Sequence, residues 1–171
     1  EEFQKLLDNN TLYRSMTDVE LVLRFFAIRN LDGYSEQFST FLDNYLVAAN
    51  QFPVTVLAQL KTLFEDTISF AYELLGEKAF YLWRPRKTKN GEKWGWFERA
   101  TTTAYDPLMY VLSHLLDKKE KLLSNGEAIR ENISQVYVAN YATFEGRNSN
   151  KSDIEKRIAA YFDFFKGYIE E

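Results

Sequence analysis

A run of apolar residues at helical spacing between Pro53 and Gly76 constrains the fold of this chain more than any other feature. Apolar side chains recur there every three or four residues, at Leu57, Leu60, Phe64, Ile68, Ala71 and Leu75. Proline is favoured in the first helical turn, and glycine supplies the backbone conformation that commonly ends a helix. The pattern therefore predicts one long helix between these two residues, against which the other helices of a bundle can pack.

Other segments also carry helix signals. Two of them begin with a capping box, Thr17–Glu20 and Ser152–Glu155, in which a hydroxyl and a carboxylate bind free backbone N–H groups. Apolar spacing predicts helices from about Asp18 to Asn30, from Ser35 to Asn50, from Glu127 to Ala142, and from the second capping box onwards. Pro107 marks the start of a further helix that reaches about Leu116, and residues 117–123 are a candidate continuation of it.

Residues 80–97 have a different character. Aromatic residues at 80–83 and 94–97 flank a polar loop with Asn90-Gly91 at its tip. Asn-Gly between two such runs is typical of the two-residue turn of a β-hairpin. The sequence therefore predicts an all-α or mostly α domain, a multi-helix orthogonal bundle of about six to seven helices with one short β-hairpin near residues 80–97.

We expect residues 1–171 to form a single helical domain. The first residues already show helical spacing at Phe3, Leu6 and Leu7 without a capping residue before them, which is what a fragment of a longer protein would show. No basic-then-apolar leader is visible, and the apolar runs are broken by charges such as Arg24. We therefore expect a cytoplasmic protein without membrane association.

The inventory of reactive side chains excludes several kinds of site in this sequence. It contains no Cys and a single His, His114, so disulfides, Cys/His zinc sites and cysteine nucleophiles are ruled out. No Gly-rich phosphate loop, His-Glu-x-x-His or Gly-x-Ser-x-Gly motif occurs. His114 has no neighbouring nucleophile, and we expect it to be a packing or surface residue. We predict no catalytic residue, no metal and no cofactor in this chain.

A cluster of cations precedes two tryptophans, and two interpretations of it stay open. The cations are Arg84, Arg86, Lys87, Lys89 and Lys93, and the tryptophans are Trp94 and Trp96. In a nucleic-acid surface the cations would meet phosphates and the rings would stack on exposed bases. In a solvated hairpin the tryptophans would instead fold inward as core. The formal net charge of −4 favours the second interpretation.

A second candidate surface lies at the start of the last predicted helix. Lys151 and Arg157 flank its N-terminus, and such an end with nearby cations can bind an anion. Ordinary helix capping explains these residues nearly as well. Both residues are therefore candidates for nucleic-acid contact together with the basic loop.

Glu20 and Arg24 are the two charged residues within the apolar run 19–28. Their i, i+4 spacing places them on one face, where they can pair. A charge removed from water needs a partner, so we favour an internal ion pair that fixes the helix. The alternative is a pair that lines a cleft shared with another domain.

A set of short segments occurs in a suggestive order along almost the whole chain. They are Asp18–Phe25, Phe41–Leu46, Gly76 with Ala79-Phe80, Trp96–Ala100, Thr143-Phe144, Ser149–Ser152 and Arg157-Ile158. In this order they resemble the helical region of a prokaryotic restriction and phage-defence family typified by the GmrSD modification-dependent endonucleases. The N-terminal domain of that family is related to the ParB and sulfiredoxin-like nucleotide-hydrolysing fold.

The resemblance implies a part without catalytic residues. The catalytic Asp-Gly-Gln-Gln-Arg stretch of the family lies N-terminal to the matched part, and here Asp32-Gly33 continues into Tyr34-Ser35. A His-Asn-His nuclease domain cannot be built with one histidine. The resemblance therefore implies a helical subdomain that packs on or regulates a missing N-terminal nucleotide-dependent core, with that core and DNA as partners. The alternative is a stand-alone helical protein-interaction domain.

Overall fold

The computed structural model describes residues 17–34, 37–89, 91–146 and 149–170, with only the backbone for Thr17 and Asp18. The chain runs through α1 (Thr17–Ile28), α2 (Phe38–Ala49), α3 (Val54–Leu75), the strands β1 (Leu82–Thr88) and β2 (Gly91–Phe97), and α4 (Thr102–His114). Four short helices follow, α5 (Lys119–Ser124), α6 (Gly126–Asn132), α7 (Ser134–Ala139) and α8 (Tyr141–Phe144), before the C-terminal helix α9 (Lys151–Ile169). The predicted mostly α fold with one hairpin is confirmed.

Some of the sequence predictions lie outside the described residues. These are the helical spacing at Phe3, Leu6 and Leu7, the side-chain contacts of the capping residue Thr17, and the turn residue Asn90. The two strands pair antiparallel from Leu82↔Phe97 to Thr88↔Gly91, so residues 89–90 form the two-residue connection, one residue before the predicted Asn-Gly pair.

The long helix α3 keeps nearly the predicted bounds, but only its C-terminal half enters the core. Its buried residues are Thr67, Ile68, Phe70, Ala71, Leu74 and Leu75. Val54 and Leu57 in its first turns are exposed, although Leu57 belongs to the apolar spacing that predicted the helix. The helix ends at Gly76, whose φ of 63° lies in the left-handed region that glycine adopts most readily.

Helix α4 lies at the centre of the bundle and begins earlier than predicted. The Oγ1 atom of Thr101 accepts a hydrogen bond from the Ala104 N–H at 3.3 Å, so the helix starts at Thr102. Pro107 therefore lies inside the helix, where it leaves the Thr103 carbonyl without its usual i+4 donor. The helix packs against α1, α3 and α9, and it ends at His114, near the predicted bound.

The single helix predicted from Glu127 to Ala142 is divided into α6, α7 and α8. An asparagine lies at each boundary between these short helices. Each donates a hydrogen bond from Nδ2 to the carbonyl four residues earlier: Asn125 to Lys121, Asn132 to Ala128, and Asn140 to Val136. Such bonds compete with the backbone ladder of a helix. With these three short helices counted as one, the bundle has seven helices in the described part of the chain, at the upper end of the predicted number.

The core is rich in aromatic side chains whose polar ends are satisfied. The hydroxyls of Tyr137 and Tyr161 lie 2.7 Å apart, and the Tyr137 hydroxyl also donates to the Tyr81 carbonyl at 3.0 Å. The Tyr105 hydroxyl donates to the Leu21 carbonyl at 2.9 Å and so ties α4 to α1. None of the described helices combines the length and the apolar character needed to cross a membrane.

Candidate nucleic-acid interface

The β-hairpin places three of its five cations on the face opposite its tryptophans. Arg84 pairs across the ladder with Gly95, and Arg86 pairs with Lys93, whereas Trp83 pairs with Trp96. Because side chains alternate along a strand, Arg84, Arg86 and Lys93 share one face of the hairpin. The tryptophans share the other face. The structure therefore does not build the mixed surface of cations and rings that one interpretation of the sequence required.

The tryptophan face packs on the helical part of the domain. The ring of Trp94 lies 5.5 Å from the ring of Tyr141, and the ring of Trp96 lies 6.1 Å from that of Tyr137, both edge to face. Trp83 and Trp96 contact each other at 5.3 Å. All three tryptophans are half-buried. Trp94, a candidate for base stacking, therefore packs on α8, and the tryptophans anchor the hairpin.

All five cations of the hairpin are exposed, and none of them lies in an ion pair with a described residue. The guanidinium of Arg84 lies 3.7 Å above the ring centroid of Phe97, which holds it against the hairpin. Lys87 lies on the opposite face, across from Glu92, and Lys89 lies in the turn. We call Arg84, Arg86, Lys87, Lys89 and Lys93 the basic hairpin cluster.

The two cations at the start of α9 do not join this cluster. Lys151 is half-buried, and its Nζ atom is 4.0 Å from Asp32 Oδ1. Arg157 is 3% exposed, and its Nε atom donates to the Thr143 carbonyl at 2.8 Å. Burial lowers the pKa of Arg157, while attraction to Asp153 and to the buried Asp106 opposes this change. The expectation that Arg157 meets a phosphate is therefore corrected, because its guanidinium lies inside the domain.

The start of α9 is also capped differently from the prediction. The Asp153 N–H donates to Asn150 Oδ1 at 2.9 Å, and the Asn150 Nδ2 atom returns a bond to Asp153 Oδ2 at 2.7 Å. The helix therefore begins at Lys151 rather than at the Ser152 capping box. An aspartate in the first turn already occupies this helix N-terminus, which leaves less positive potential for an external anion.

Arg24 forms the main buried ion pair of the domain with Asp106. Its Nε atom donates to Asp106 Oδ1 at 3.0 Å and its Nη2 atom contacts Asp106 Oδ2, while Nη1 lies 3.3 Å from Glu20 Oε1. Arg24 and Asp106 are each 5% exposed, whereas the Glu20 side chain is 52% exposed. The guanidinium also lies 4.3 Å from the ring centroid of Phe38. The i, i+4 contact with Glu20 is present, but the buried partner is a residue that sequence reasoning missed.

The ionisation of this pair reflects its burial. Burial raises the pKa of Asp106, and the neighbouring Arg24 guanidinium opposes that rise. For Arg24, burial lowers the pKa, but attraction to Asp106 and Glu20 outweighs it, so the net pKa is raised. The arrangement joins α1 to α4 beneath the surface and presents no reacting atom to solvent. We assign it a structural role.

Neither His114 nor the cleft beside Trp96 brings together a nucleophile and a base among the described residues. The His114 ring stacks on Tyr110 with centroids 4.3 Å apart, and its Nδ1 atom lies 2.8 Å from the Tyr110 carbonyl. The cleft has a volume of about 810 Å³ beside the tryptophan face, and its charged lining is mixed in sign: Glu77, Lys78, Glu98 and Arg130. Among the described residues, no three His, Asp or Glu side chains are placed to hold a metal ion.

No protein-family model, curated protein or solved structure matches the chain. The resemblance to the GmrSD-type family therefore stays a prediction.

Proposed function

We propose that this chain is a non-catalytic helical module that contacts the phosphate backbone of DNA through the basic hairpin cluster. The observation that supports the proposal is the concentration of five exposed cations, none in an ion pair with a described residue, on one hairpin. A chain with a formal net charge of −4 spreads acids over the rest of its surface. The hairpin would therefore orient the module towards a polyanion.

The separation of Arg84, Arg86 and Lys93 from the tryptophans favours contact with phosphates over contact with bases. Single-strand binders present aromatic platforms beside their cations, whereas Trp94 and Trp96 here pack against Tyr141 and Tyr137. Cations alone bind the regular phosphate array of a duplex without reading its sequence. We therefore propose duplex DNA as the preferred ligand and expect little sequence preference from the hairpin itself.

The same proposal places the module in a larger nuclease of the restriction and phage-defence type, as the resemblance implies. Exposed apolar side chains lie on both sides of the connection between α2 and α3: Leu46, Val47, Val54 and Leu57. An exposed apolar patch is a common feature of protein-binding surfaces. In the parent protein it would pack on the N-terminal nucleotide-dependent core. In the alternative function, a stand-alone helical interaction domain, the same patch would bind another protein.

The test is the salt dependence of binding to a fluorescent DNA duplex and to the matching single strand. If the basic hairpin cluster meets phosphates, the logarithm of the duplex binding constant should fall with the logarithm of salt concentration by about 0.9 per phosphate contacted. Changing Arg86, Lys87, Lys89 and Lys93 to Gln should flatten that slope. The duplex should bind at least as tightly as the single strand.

A control variant changes the same number of charges elsewhere. Lys61, Lys121, Lys156 and Lys166 are exposed lysines on helices, and their change to Gln leaves the hairpin intact. This variant should keep most of the salt slope of the parent chain. An equal loss of slope in both variants would show that net charge alone governs the binding, and the proposed interface would then be wrong.

A further inference from the structure

The cleft beside Trp96 lies between the end of α3, the end of β2 and the helices α6 and α7. Its volume is about 810 Å³, which lies within the roughly 300–1,000 Å³ of sites for small molecules. The buried part of its lining is apolar or aromatic: Leu75, Ala79, Ile133 and Tyr137. The half-buried ring of Trp96 adds an aromatic wall. The cleft therefore offers apolar surface to a molecule of about dipeptide size.

The charged lining of this cleft is balanced. Among the described residues that line it, Glu77 and Glu98 are acidic, and Lys78 and Arg130 are basic. They come from three segments of the chain: the turn after α3, the end of β2, and α6. Although opposite charges share one cleft, none of the four lies in an ion pair with a described residue. Both signs are therefore available to a ligand.

The two cations are positioned by groups that carry no net charge. The Nη1 atom of Arg130 donates to the Leu74 carbonyl at 3.0 Å. Gly126 leaves room for this guanidinium, since a Cβ atom there would lie 3.2 Å from Nη1. The Nζ atom of Lys78 lies 5.8 Å from the ring centroid of Trp96. Neither contact neutralises its cation, so both remain able to bind a carboxylate.

The two carboxylates lie near one phenol. Burial raises the pKa of Tyr81, and the negative charges of Glu77 and Glu98 raise it further. Both glutamate side chains are exposed, so a ligand that enters the cleft can reach them. An ammonium group has three N–H donors and can bind two carboxylates at once. This side of the cleft is therefore suited to a primary amine.

We propose that the cleft binds a zwitterionic small molecule with an apolar body, of about dipeptide size. Glu77 and Glu98 bind its ammonium group. Lys78 and Arg130 bind its carboxylate, and the body packs on the Trp96 ring. A ligand with a single charge would be attracted by one pair of residues and repelled by the other, whereas a zwitterion complements both. No residue of the basic hairpin cluster lines the cleft, so this site does not rest on the proposed function.

The dipeptide leucyl-phenylalanine is the probe, together with its N-acetyl and C-terminal amide derivatives. The free dipeptide should shift the indole N–H resonance of Trp96 and the backbone amide resonance of Ala79 in a nitrogen–proton NMR spectrum. Titration to about 10 mM nearly saturates a site whose dissociation constant is about 1 mM. Each derivative lacks one charge and should bind about tenfold more weakly, because hydrogen bonds between charged groups are the stronger ones.

The double variant Glu77→Gln with Glu98→Gln tests the acidic side of the cleft. It should fold, because both side chains are exposed and neither lies in an ion pair with a described residue. It should bind the free dipeptide about tenfold more weakly than the parent chain does, but the N-acetyl derivative equally well, because that derivative has no ammonium group. The matched control is Glu127→Gln with Glu131→Gln, two exposed acids of α6 outside the cleft. The control should keep the affinity of the parent chain.

Three outcomes would overturn the site. The first is no shift of the Trp96 indole resonance with leucyl-phenylalanine, leucyl-leucine or valyl-phenylalanine. The second is equal affinity for the free dipeptide and its two derivatives, which would reduce the binding to apolar contact. The third is an equal loss of affinity in the two glutamine variants, which would assign the effect to net charge. Each of these outcomes leaves the salt dependence of DNA binding, and hence the proposed function, untouched.

Discussion

Arg24 of α1 and Asp106 of α4 form a two-point buried ion pair across 82 residues of sequence. Each side chain is almost completely removed from water. The remaining nitrogen of the Arg24 guanidinium, Nη1, lies 3.3 Å from the exposed carboxylate of Glu20. A buried pair of this kind contributes little net stability, but loss of one partner leaves an uncompensated charge in the core. The two residues therefore fix how α1 lies on the central helix.

Changing Arg24 to Ala should lower the free energy of unfolding by about 3–5 kcal/mol, because Asp106 would remain buried without its hydrogen-bonded partner. Changing Glu20 to Ala should cost within about 0.5 kcal/mol, since its side chain is half exposed and solvent screens the contact. Urea denaturation of the two variants measures both values. Equal losses in the two variants would show that the i, i+4 contact, and not Asp106, stabilises Arg24.

Local sequence patterns were sufficient for the positions of most elements. The long helix between Pro53 and Gly76 and the hairpin depend on neighbours within a few residues, so both elements could be predicted. The turn itself lies at residues 89–90, one residue before the predicted Asn-Gly pair. The partner of Arg24 could not be predicted, because Asp106 lies 82 residues away and its Asp-Pro sequence is typical of a helix start. The buried position of Arg157 could not be predicted for the same reason, since nothing in its own helix indicates a contact with the Thr143 carbonyl.

In the hairpin, the register of the two strands decides which side chains share a face. The cations and tryptophans lie close together in sequence, but alternation along paired strands sends Arg84 and Trp94 to opposite faces. The groove lined by Arg84, Arg99 and Thr103 was not predicted either, for a related reason. Arg84, Arg99 and Thr103 meet only when the hairpin folds back on the first turn of α4, and each residue alone has no distinguishing sequence pattern.

The isolated chain should lack nuclease and nucleotidase activity. The catalytic stretch of the family it resembles does not occur in the sequence, and the described residues contain no three-ligand metal site. Incubation with plasmid DNA or with nucleoside triphosphates and Mg²⁺ tests this expectation. Cleavage or hydrolysis that a point change within the chain abolishes would contradict it, whereas activity that survives every such change would indicate a contaminant.

The tyrosine pair in the core should make the protein sensitive to alkaline pH. Burial raises the pKa values of Tyr137 and Tyr161 in the folded state, whereas in the unfolded chain both ionise at about 10. The neutral forms therefore contribute their full stabilisation below a pH of about 10. This contribution is lost as the pH rises towards the raised pKa values of the folded state. Phenolate absorbance and circular dichroism should change together in that range.

The variant Tyr137→Phe tests the same pair without altering its packing. It removes the hydroxyl that contacts Tyr161 and Tyr81, so the Tyr161 hydroxyl loses its partner and stability at neutral pH should fall by about 1–3 kcal/mol. Its loss of stability above pH of about 10 should be shallower than that of the parent chain, because one ionising group fewer is linked to unfolding. Identical alkaline profiles would exclude Tyr137 as a contributor.

Changing Trp96 to Ala should destabilise the whole domain, because Trp96 contacts Trp83 within the hairpin and Tyr137 in the core. Loss of a fully buried tryptophan costs about 3–5 kcal/mol, and the half-buried state of Trp96 reduces the expected loss to about 2–4 kcal/mol. Trp94→Ala should cost less, since its ring contact is with Tyr141 of the four-residue helix α8. Urea denaturation followed by circular dichroism gives both values.

The same two variants distinguish packing from base stacking. If the tryptophans anchor the hairpin, single-strand affinity measured where both variants remain folded should stay within about twofold of the parent chain, because stacking on a base is worth about 1–3 kcal/mol and its loss would be larger. Wild-type stability together with a tenfold loss of single-strand affinity in Trp94→Ala would instead make this ring a base platform. The hairpin would then have to expose Trp94 when it binds, and the duplex preference proposed above would be wrong.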